Sequence, residues 1–209
     1  MFELANVSIS KMINTIPTRH WREFMRLFRN HKWERTDDGG IFISEAKAQM
    51  NGNYETWAPD GLGWQLGHNL WTTEGFNHLL SVAINGGTQV PTWYVAPTGA
   101  NVAVVNTLTA ATFASTQTEL TSSYSESTRV AFVESAPSGG SLSNTASPAI
   151  ITAASDGVNI WGFGILSVAT KGSTSGTLLC ATTYPSVRTL ATTGDQHGVR
   201  HTLTLSNPA

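Results

Sequence analysis

The sequence predicts a mainly β protein, an antiparallel β-sandwich of jelly-roll or immunoglobulin-like type, carrying an N-terminal arm that contains a helix. Three observations predict it. Lys11, Arg19, Arg22, Arg26, Arg29, Lys32, Arg35 and Lys47 all precede Asp60, whereas only Arg129, Lys171, Arg188 and Arg200 follow it. The charge-poor remainder is rich in Ser, Thr, Gly and Ala, with short apolar runs between Gly, Pro and Ser turns. No strand–helix alternation of the βαβ kind appears, so a parallel α/β sheet is not expected. The expected division is an arm over 1–64 and a body over 65–209.

Within the arm, residues 18–30 carry the clearest helical pattern. Thr18 follows Pro17 as an N-cap, and Trp21, Phe24, Met25 and Phe28 recur at i, i+3, i+4, i+7 to form one apolar face. Arg19, Arg22, Arg26 and Arg29 lie mostly on the other side. An isolated helix this short is marginal in water, so it needs a partner surface: its own domain, another subunit, or nucleic acid or membrane. Asp37-Asp38-Gly39-Gly40 between Trp33-Glu34-Arg35 and Ile41-Phe42-Ile43 predicts a small hairpin. From there to Gly67 the pattern reads as loop, punctuated by Tyr54, Trp57 and Trp64, with Trp71 just beyond.

A second helix is expected to begin at Thr72 or Thr73, to place Phe76, Leu79, Leu80 and Ala83 on one face, and to end at Gly86-Gly87. Strand-like runs follow at 92–96, 102–105, 129–133, 149–152, 158–165, 177–181 and 199–205. The last alternates cleanly, which places Val199, His201, Leu203 and Leu205 on one face and turns Arg200, Thr202 and Thr204 outward. Gly162 and Gly164, beside Trp161 and Phe163, predict close approach of backbone or of a second sheet. Lys171-Gly172-Ser173-Thr174-Ser175-Gly176 reads as an exposed tip.

Composition narrows the function classes. The 209 residues carry a net charge of −2, so overall electrostatics recruits neither nucleic acid nor membrane. Cys180 stands alone and cannot form an intrachain disulfide. Met1-Phe2-Glu3-Leu4 lacks a basic stretch before an apolar one, and no apolar run approaches the ~20 residues of a membrane span. A soluble protein made in the cytoplasm is expected.

Catalytic chemistry finds little footing. The 171–176 loop lacks the glycine order of a phosphate cradle and no helix follows it. His197 and His201 share a strand face but sit too far apart for ready chelation, so a buried, hydrogen-bonded His201 is expected in place of a metal site. Cys180, between Leu179 and Ala181, reads as a small hydrophobe. No serine stands in a Gly-x-Ser-x-Gly elbow. Glu119, Glu126, Glu134, Asp156 and Asp195 are the sparse late carboxylates, which disfavours glycosidase chemistry. Glu126 and Arg129 are expected to pair locally. No enzyme, cofactor or metal is expected.

Five phrases in order along the chain carry a resemblance: Asn69-Leu70-Trp71-Thr72-Thr73-Glu74-Gly75-Phe76-Asn77, Thr92-Trp93-Tyr94-Val95-Ala96, Tyr124-Ser125-Glu126-Ser127-Thr128-Arg129, Ser143-Asn144-Thr145-Ala146-Ser147-Pro148 and Lys171-Gly172-Ser173-Thr174-Ser175-Gly176-Thr177-Leu178. With them, the segments 19–22 and 28–35 look like the arm of longer members. Together they resemble a family of virion structural proteins of short-tailed double-stranded DNA phages. The resemblance implies a component of the capsid surface, of cement or decoration type, with no catalytic residues. The expected partners are the major capsid protein and further copies of the chain, as a dimer or trimer. Trp21, Arg22, Phe24, Met25, Arg26, Phe28, Arg29, Trp33, Trp57 and Trp64 are the expected contact residues. Two rivals stand beside this reading: a tail adaptor or fibre-associated part, and a glycan-binding module using Trp57, Trp64, Trp71 and Tyr94 as stacking platforms.

Overall fold

A computed structural model describes residues 33–35, 41–43 and 49–206. The chain divides into two compact units, one of residues 1–49 with 207–209, the other of residues 50–206. In the first unit, β1 (Trp33–Arg35) pairs antiparallel with β2 (Ile41–Ile43), Glu34 opposite Phe42, as the turn residues between them predict. The boundary differs from the expected 1–64 and 65–209. Residues 50–64 belong to the body, because β3 (Gln49–Trp57) is a full sheet strand and not loop. Its alternation was hidden by polar outward residues: Tyr54, Thr56 and Ala58 are buried while Asn51, Asn53 and Trp57 are exposed.

Two antiparallel sheets build the body as a sandwich. The remaining strands are β4 (Gln65–His68), β5 (Leu70–Trp71), β6 (Trp93–Thr98), β7 (Val130–Phe132), β8 (Ser141–Ser143), β9 (Ala149–Thr152), β10 (Val158–Leu166), β11 (Leu178–Leu190) and β12 (Gln196–Ser206). The first sheet runs β5-β11-β10-β6-β7 and the second β4-β3-β12-β8, with β9 also paired to β12. Tyr54, Phe132, Ile151, Ile160, Phe163, Ile165, Leu190 and Val199 fill the core. At ~25 cal/mol per Å² of apolar surface removed from water, these side chains supply the main drive for folding.

Part of the first sheet, in β6, β10 and β11, is buried on both faces. A smaller cluster of Ala96, Leu108, Phe113, Leu166, Leu178 and Ala181 packs beneath the helix α2 (Ala110–Thr116), which the sequence reading missed. This explains Gly164: a Cβ there would lie 2.5 Å from the Phe113 ring. At Gly162 a Cβ would meet the Thr182 carbonyl at 2.1 Å, so both glycines mark close approach as expected. The run 102–105 is not a strand. β11, in contrast, extends well beyond the expected 177–181. Its ladder with β10 jumps from Gly162 opposite Thr183 to Ile160 opposite Arg188. Pro185 falls within that bulge, where no ladder N–H is required, and the bulge turns Tyr184 into the core.

β12 meets β9 through Gln196–Val199 and β8 through Thr202–Thr204. Asn144 fills the gap between these two partners. Its side-chain oxygen accepts from the His201 backbone N–H at 2.7 Å, and its amide donates to the Val199 carbonyl at 3.0 Å. Val199, His201 and Leu203 point inward as the alternation predicts, but Leu205 emerges to solvent at the strand end.

The helix α1 (Thr73–Ile84) starts where expected, with the Thr72 hydroxyl accepting from the Gly75 N–H at 2.9 Å. Glu74 in its first turn accepts from the backbone N–H of Ala110 at 2.8 Å and of Leu178 at 2.7 Å, which joins α1, α2 and β11. Gly75 lies against β11, and a Cβ there would sit 2.2 Å from the Leu179 carbonyl oxygen. Gly→Ala inside a helix normally stabilises by about 1 kcal/mol. Here Gly75→Ala is expected to destabilise by about 2 kcal/mol, because backbone must separate to admit the methyl group. A urea titration showing a lower midpoint with an unchanged slope checks it; a raised midpoint would contradict the packing.

Candidate functional site

The expected contact residues fall into two groups. Trp21, Arg22, Phe24, Met25, Arg26, Phe28 and Arg29 lie outside the described residues, and Trp33 lies on β1. Trp57 and Trp64 lie on the body and are both exposed, at 37% and 45%. Trp71 and Tyr54 instead enter the core, which removes Trp71 from any stacking platform, and Tyr94 is half-buried.

The segment between β3 and β4 presents the exposed tryptophans from a fixed backbone. The Asp60 carboxylate accepts from the Leu62 N–H at 3.0 Å, closing an Asx-turn. Gly61 and Gly63 take φ of 79° and 64°, a left-handed backbone that side chains disfavour. Arg188, fully buried, reaches this segment from β11: its Nε lies 3.0 Å from Asp60 Oδ2, and Nη2 donates to the Gly63 carbonyl at 2.8 Å. The guanidinium thus meets the Asp60 carboxylate as a charge and the Gly63 carbonyl as a hydrogen-bond donor. The segment tied down this way exposes Leu62 and Trp64, beside Trp57 at the end of β3 and Leu66 on β4, which are exposed as well. Sequence reasoning missed Leu62 and Leu66. Gly61-Leu62-Gly63 was the available signal, since an apolar residue flanked by left-handed glycines has no strand face to enter.

Beside these residues an open groove lies along β4, β3 and β12, lined by Asn53, Glu55, Leu66, His68, Arg200 and Thr202. Its polar side chains already engage one another. Arg200 stacks on Trp64 at 4.1 Å from the ring centre and approaches Glu55 at 3.5 Å, while His68 Nδ1 lies 2.6 Å from Asn53 Oδ1. The cation–π contact holds Trp64 in place at ~0.5–1 kcal/mol, typical of an exposed site.

The buried polar groups serve the interior. Arg129 does not pair with Glu126 as expected. It makes a bidentate contact with Glu119, Nε–Oε1 2.8 Å and Nη2–Oε2 2.7 Å, while Glu126 accepts from the Thr152 N–H. Burial, and not sequence proximity, selects the partner, because both Glu119 and Arg129 are enclosed and each neutralises the other. Lys171 is not a free tip residue: its ammonium donates to the Tyr124 carbonyl at 2.9 Å and lies over the Tyr124 ring. Its pKa is lowered, chiefly by burial.

His197 and His201 face inward separately. His197 Nε2 lies 3.0 Å from the Tyr184 hydroxyl, whereas His201 stands edge-on to Phe132 and Phe163 with no hydrogen-bond partner for either ring nitrogen among the described residues. The expected hydrogen bond of His201 is therefore absent. Burial holds both imidazoles neutral, with pKa values lowered to about 3, and the Arg188 charge adds to the effect at His197. Burial likewise pushes the Cys180 thiol up, away from the thiolate form that a nucleophile needs. Among the described residues, no group of three His, Cys, Asp or Glu could hold a metal ion, and no helix is long and apolar enough to cross a membrane.

Among the described residues of the body, exposed apolar side chains run from the end of β3 to β4, at Trp57, Leu62, Trp64 and Leu66. No protein-family model matches the chain, and no curated protein sequence matches it.

Proposed function

We propose that the chain is a structural protein of a phage virion, a capsid cement that stabilises the head by bridging neighbouring major capsid subunits. One observation supports the reading on the body: Trp57, Leu62, Trp64 and Leu66 are exposed along the stretch from the end of β3 to β4, which Arg188 ties down at Asp60 and Gly63. Large aromatic side chains on a rigid support are the usual anchors of protein interfaces. The basic amphipathic segment with Trp21, Phe24, Met25 and Phe28 supplies a second contact, and the ordered resemblance to virion proteins supplies the class. Mechanically, a cement adds buried interface after the shell has closed, opposing the pressure of packaged DNA. A stable interface needs ~1,600 Å² in total, within reach of an arm and a sheet rim together.

Co-sedimentation of the full chain with phage shells tests this. Replacing Trp21, Phe24 and Phe28 by Ala, or Trp57 and Trp64 by Ala, is expected to weaken shell binding at least about thirtyfold, the equivalent of one ~2 kcal/mol hot spot. Undiminished binding by both variants would refute the docking scheme. Copy number separates head from tail, because a cement matches the shell subunit in abundance and a tail part does not. The glycan-binding reading draws on the polar groove beside Trp64. It predicts polysaccharide binding by the chain alone, lost in Trp64→Ala.

A further inference from the structure

The dipeptide Asn-Gly occurs twice in the chain, at Asn51-Gly52 and at Asn85-Gly86. It carries a reaction of its own. A backbone nitrogen can attack the side-chain carbonyl carbon of the asparagine before it, and glycine hinders that attack least because it has no Cβ. Ring closure requires the asparagine side chain and the following peptide unit to rotate toward each other, so the surrounding fold decides whether it occurs.

The fold treats the two dipeptides oppositely. Asn51-Gly52 lies inside β3, between β4 and β12 in the second sheet. Gly52 is buried, its carbonyl accepts from the Asn69 N–H at 3.0 Å, and the Asn69 side chain fills the place of a Cβ. Rotation there means pulling a strand out of the ladders on both its sides, an opening that costs close to the whole stability of the fold. Asn85-Gly86 instead closes α1. Asn85 is the C-cap, just past the last helical residue, and both residues are exposed. Gly86 stands at φ 66°, and among the described residues a Cβ there would meet nothing within 4 Å. The N–H groups of Asn85 and Gly87 hold this end by donating to the Ser81 carbonyl, at 3.0 and 2.9 Å. Helix ends of this kind open at little cost.

We propose that Asn85 is a site of spontaneous covalent modification, in which its amide is converted to aspartate and isoaspartate through a cyclic imide with Gly86. The Gly86 nitrogen gives up its proton and bonds to Asn85 Cγ. The Cγ–Nδ2 bond breaks, and ammonia leaves carrying that proton. Water then opens the imide at either carbonyl. One opening leaves aspartate; the other leaves isoaspartate, with the main chain running through the side-chain carbons. The product bears on α1. A carboxylate at the C-cap meets the negative end of the helix dipole, and the last turn has no basic residue to offset it. Isoaspartate also lengthens the main chain before Gly86, which carries the Gly87 N–H off the Ser81 carbonyl. The last turn of α1 is expected to fray.

The reaction needs the chain alone, so its outcome leaves the cement reading where it stands. The test incubates the purified full chain at mildly alkaline pH and physiological temperature, then maps its peptides by mass spectrometry at intervals. Cleavage after Glu55 and Glu74 places Asn51 and Asn85 on separate peptides. The Asn85 peptide is expected to gain the mass difference between a hydroxyl and an amino group, in aspartyl and isoaspartyl forms. Its rate is expected to exceed that at Asn51 at least about tenfold, because β3 must open first. Asn85→Gln, whose longer side chain closes a larger ring far more slowly, is expected to stay unchanged at that position. Protease cleavage within 81–87 is expected to quicken with age in the wild type and not in Asn85→Gln. An Asn85 that stays intact, equal rates at Asn51 and Asn85 while circular dichroism shows a folded chain, or aspartate formed without isoaspartate would each overturn the proposal. Cleavage that does not change with age would overturn the effect on α1.

Discussion

Arg129→Met is expected to lower the unfolding free energy by about 3–5 kcal/mol at neutral pH, the usual loss when one partner of a buried ion pair is removed. Glu119 and Arg129 have no side-chain exposure, and their two-point contact links the segment after α2 to the start of β7. Arg129 also donates to the carbonyls of Val168 at 2.9 Å and Ser173 at 3.1 Å, so one side chain organises three segments. Methionine approximates the aliphatic stem but leaves the Glu119 carboxylate enclosed without a counter-charge and two carbonyls without a donor. Adding Glu119→Leu removes the isolated charge. The double variant is therefore expected to recover most of the loss and to retain about 1–2 kcal/mol, for the two carbonyls. Urea unfolding of wild type, both single variants and the double variant measures the coupling. A single-variant loss below about 1 kcal/mol, or strictly additive losses, would show that the pair contributes little.

The same residue shows where the sequence was legible and where it was not. Apolar alternation made most body strands readable, including the inward turn of His201, because each has one face on a shared core. The Thr72 cap and the hairpin at 33–43 were readable because local chemistry decides them. Tertiary pairing was not. Glu126 stands nearer to Arg129 in sequence, yet Glu119 holds it, since only Glu119 shares its buried site. β3 was read as loop because its outward face is polar and its inward Gly52 carries no apolar side chain: a Cβ there would collide with Asn69. The direction of the α1 stripe was not legible for a related reason: of the residues that share its face, Leu79 packs on the core and Phe76 stacks on Trp71, while Leu80 is exposed. With Phe76, Leu79, Leu80, Val82 and Ile84 around the helix, periodicity alone cannot tell a core-facing stripe from one that faces outward. Of the candidate surface, Trp57 and Trp64 were legible as aromatics on irregular sequence. Leu62 and Leu66 became visible only once the Arg188–Asp60 contact showed which way that segment turns.

Lowering the pH from 7 to 5 is expected to destabilise the body by about 4 kcal/mol, through His197 and His201 alone. Both are wholly buried with pKa values lowered to about 3, against 6.5 for an ordinary imidazole. Between those values the unfolded chain binds protons that the folded chain refuses. Stability is therefore complete above about pH 6.5 and falls with acidification until the folded pKa is reached. Each histidine contributes about 1.4 kcal/mol per pH unit, hence about 2 kcal/mol at pH 5. His201→Leu separates the two contributions. Among the described residues neither ring nitrogen of His201 has a hydrogen-bond partner, so leucine between Phe132 and Phe163 strands no described group and removes a buried polar one. That variant is expected to match or exceed wild-type stability at pH 7 and to lose only half as much at pH 5. His197→Leu has the opposite effect at pH 7, since it strands the Tyr184 hydroxyl in the core. Chemical unfolding at pH 7, 6 and 5 decides it: a flat wild-type profile, or a full acid slope in His201→Leu, would mean that these imidazoles accept protons inside the fold.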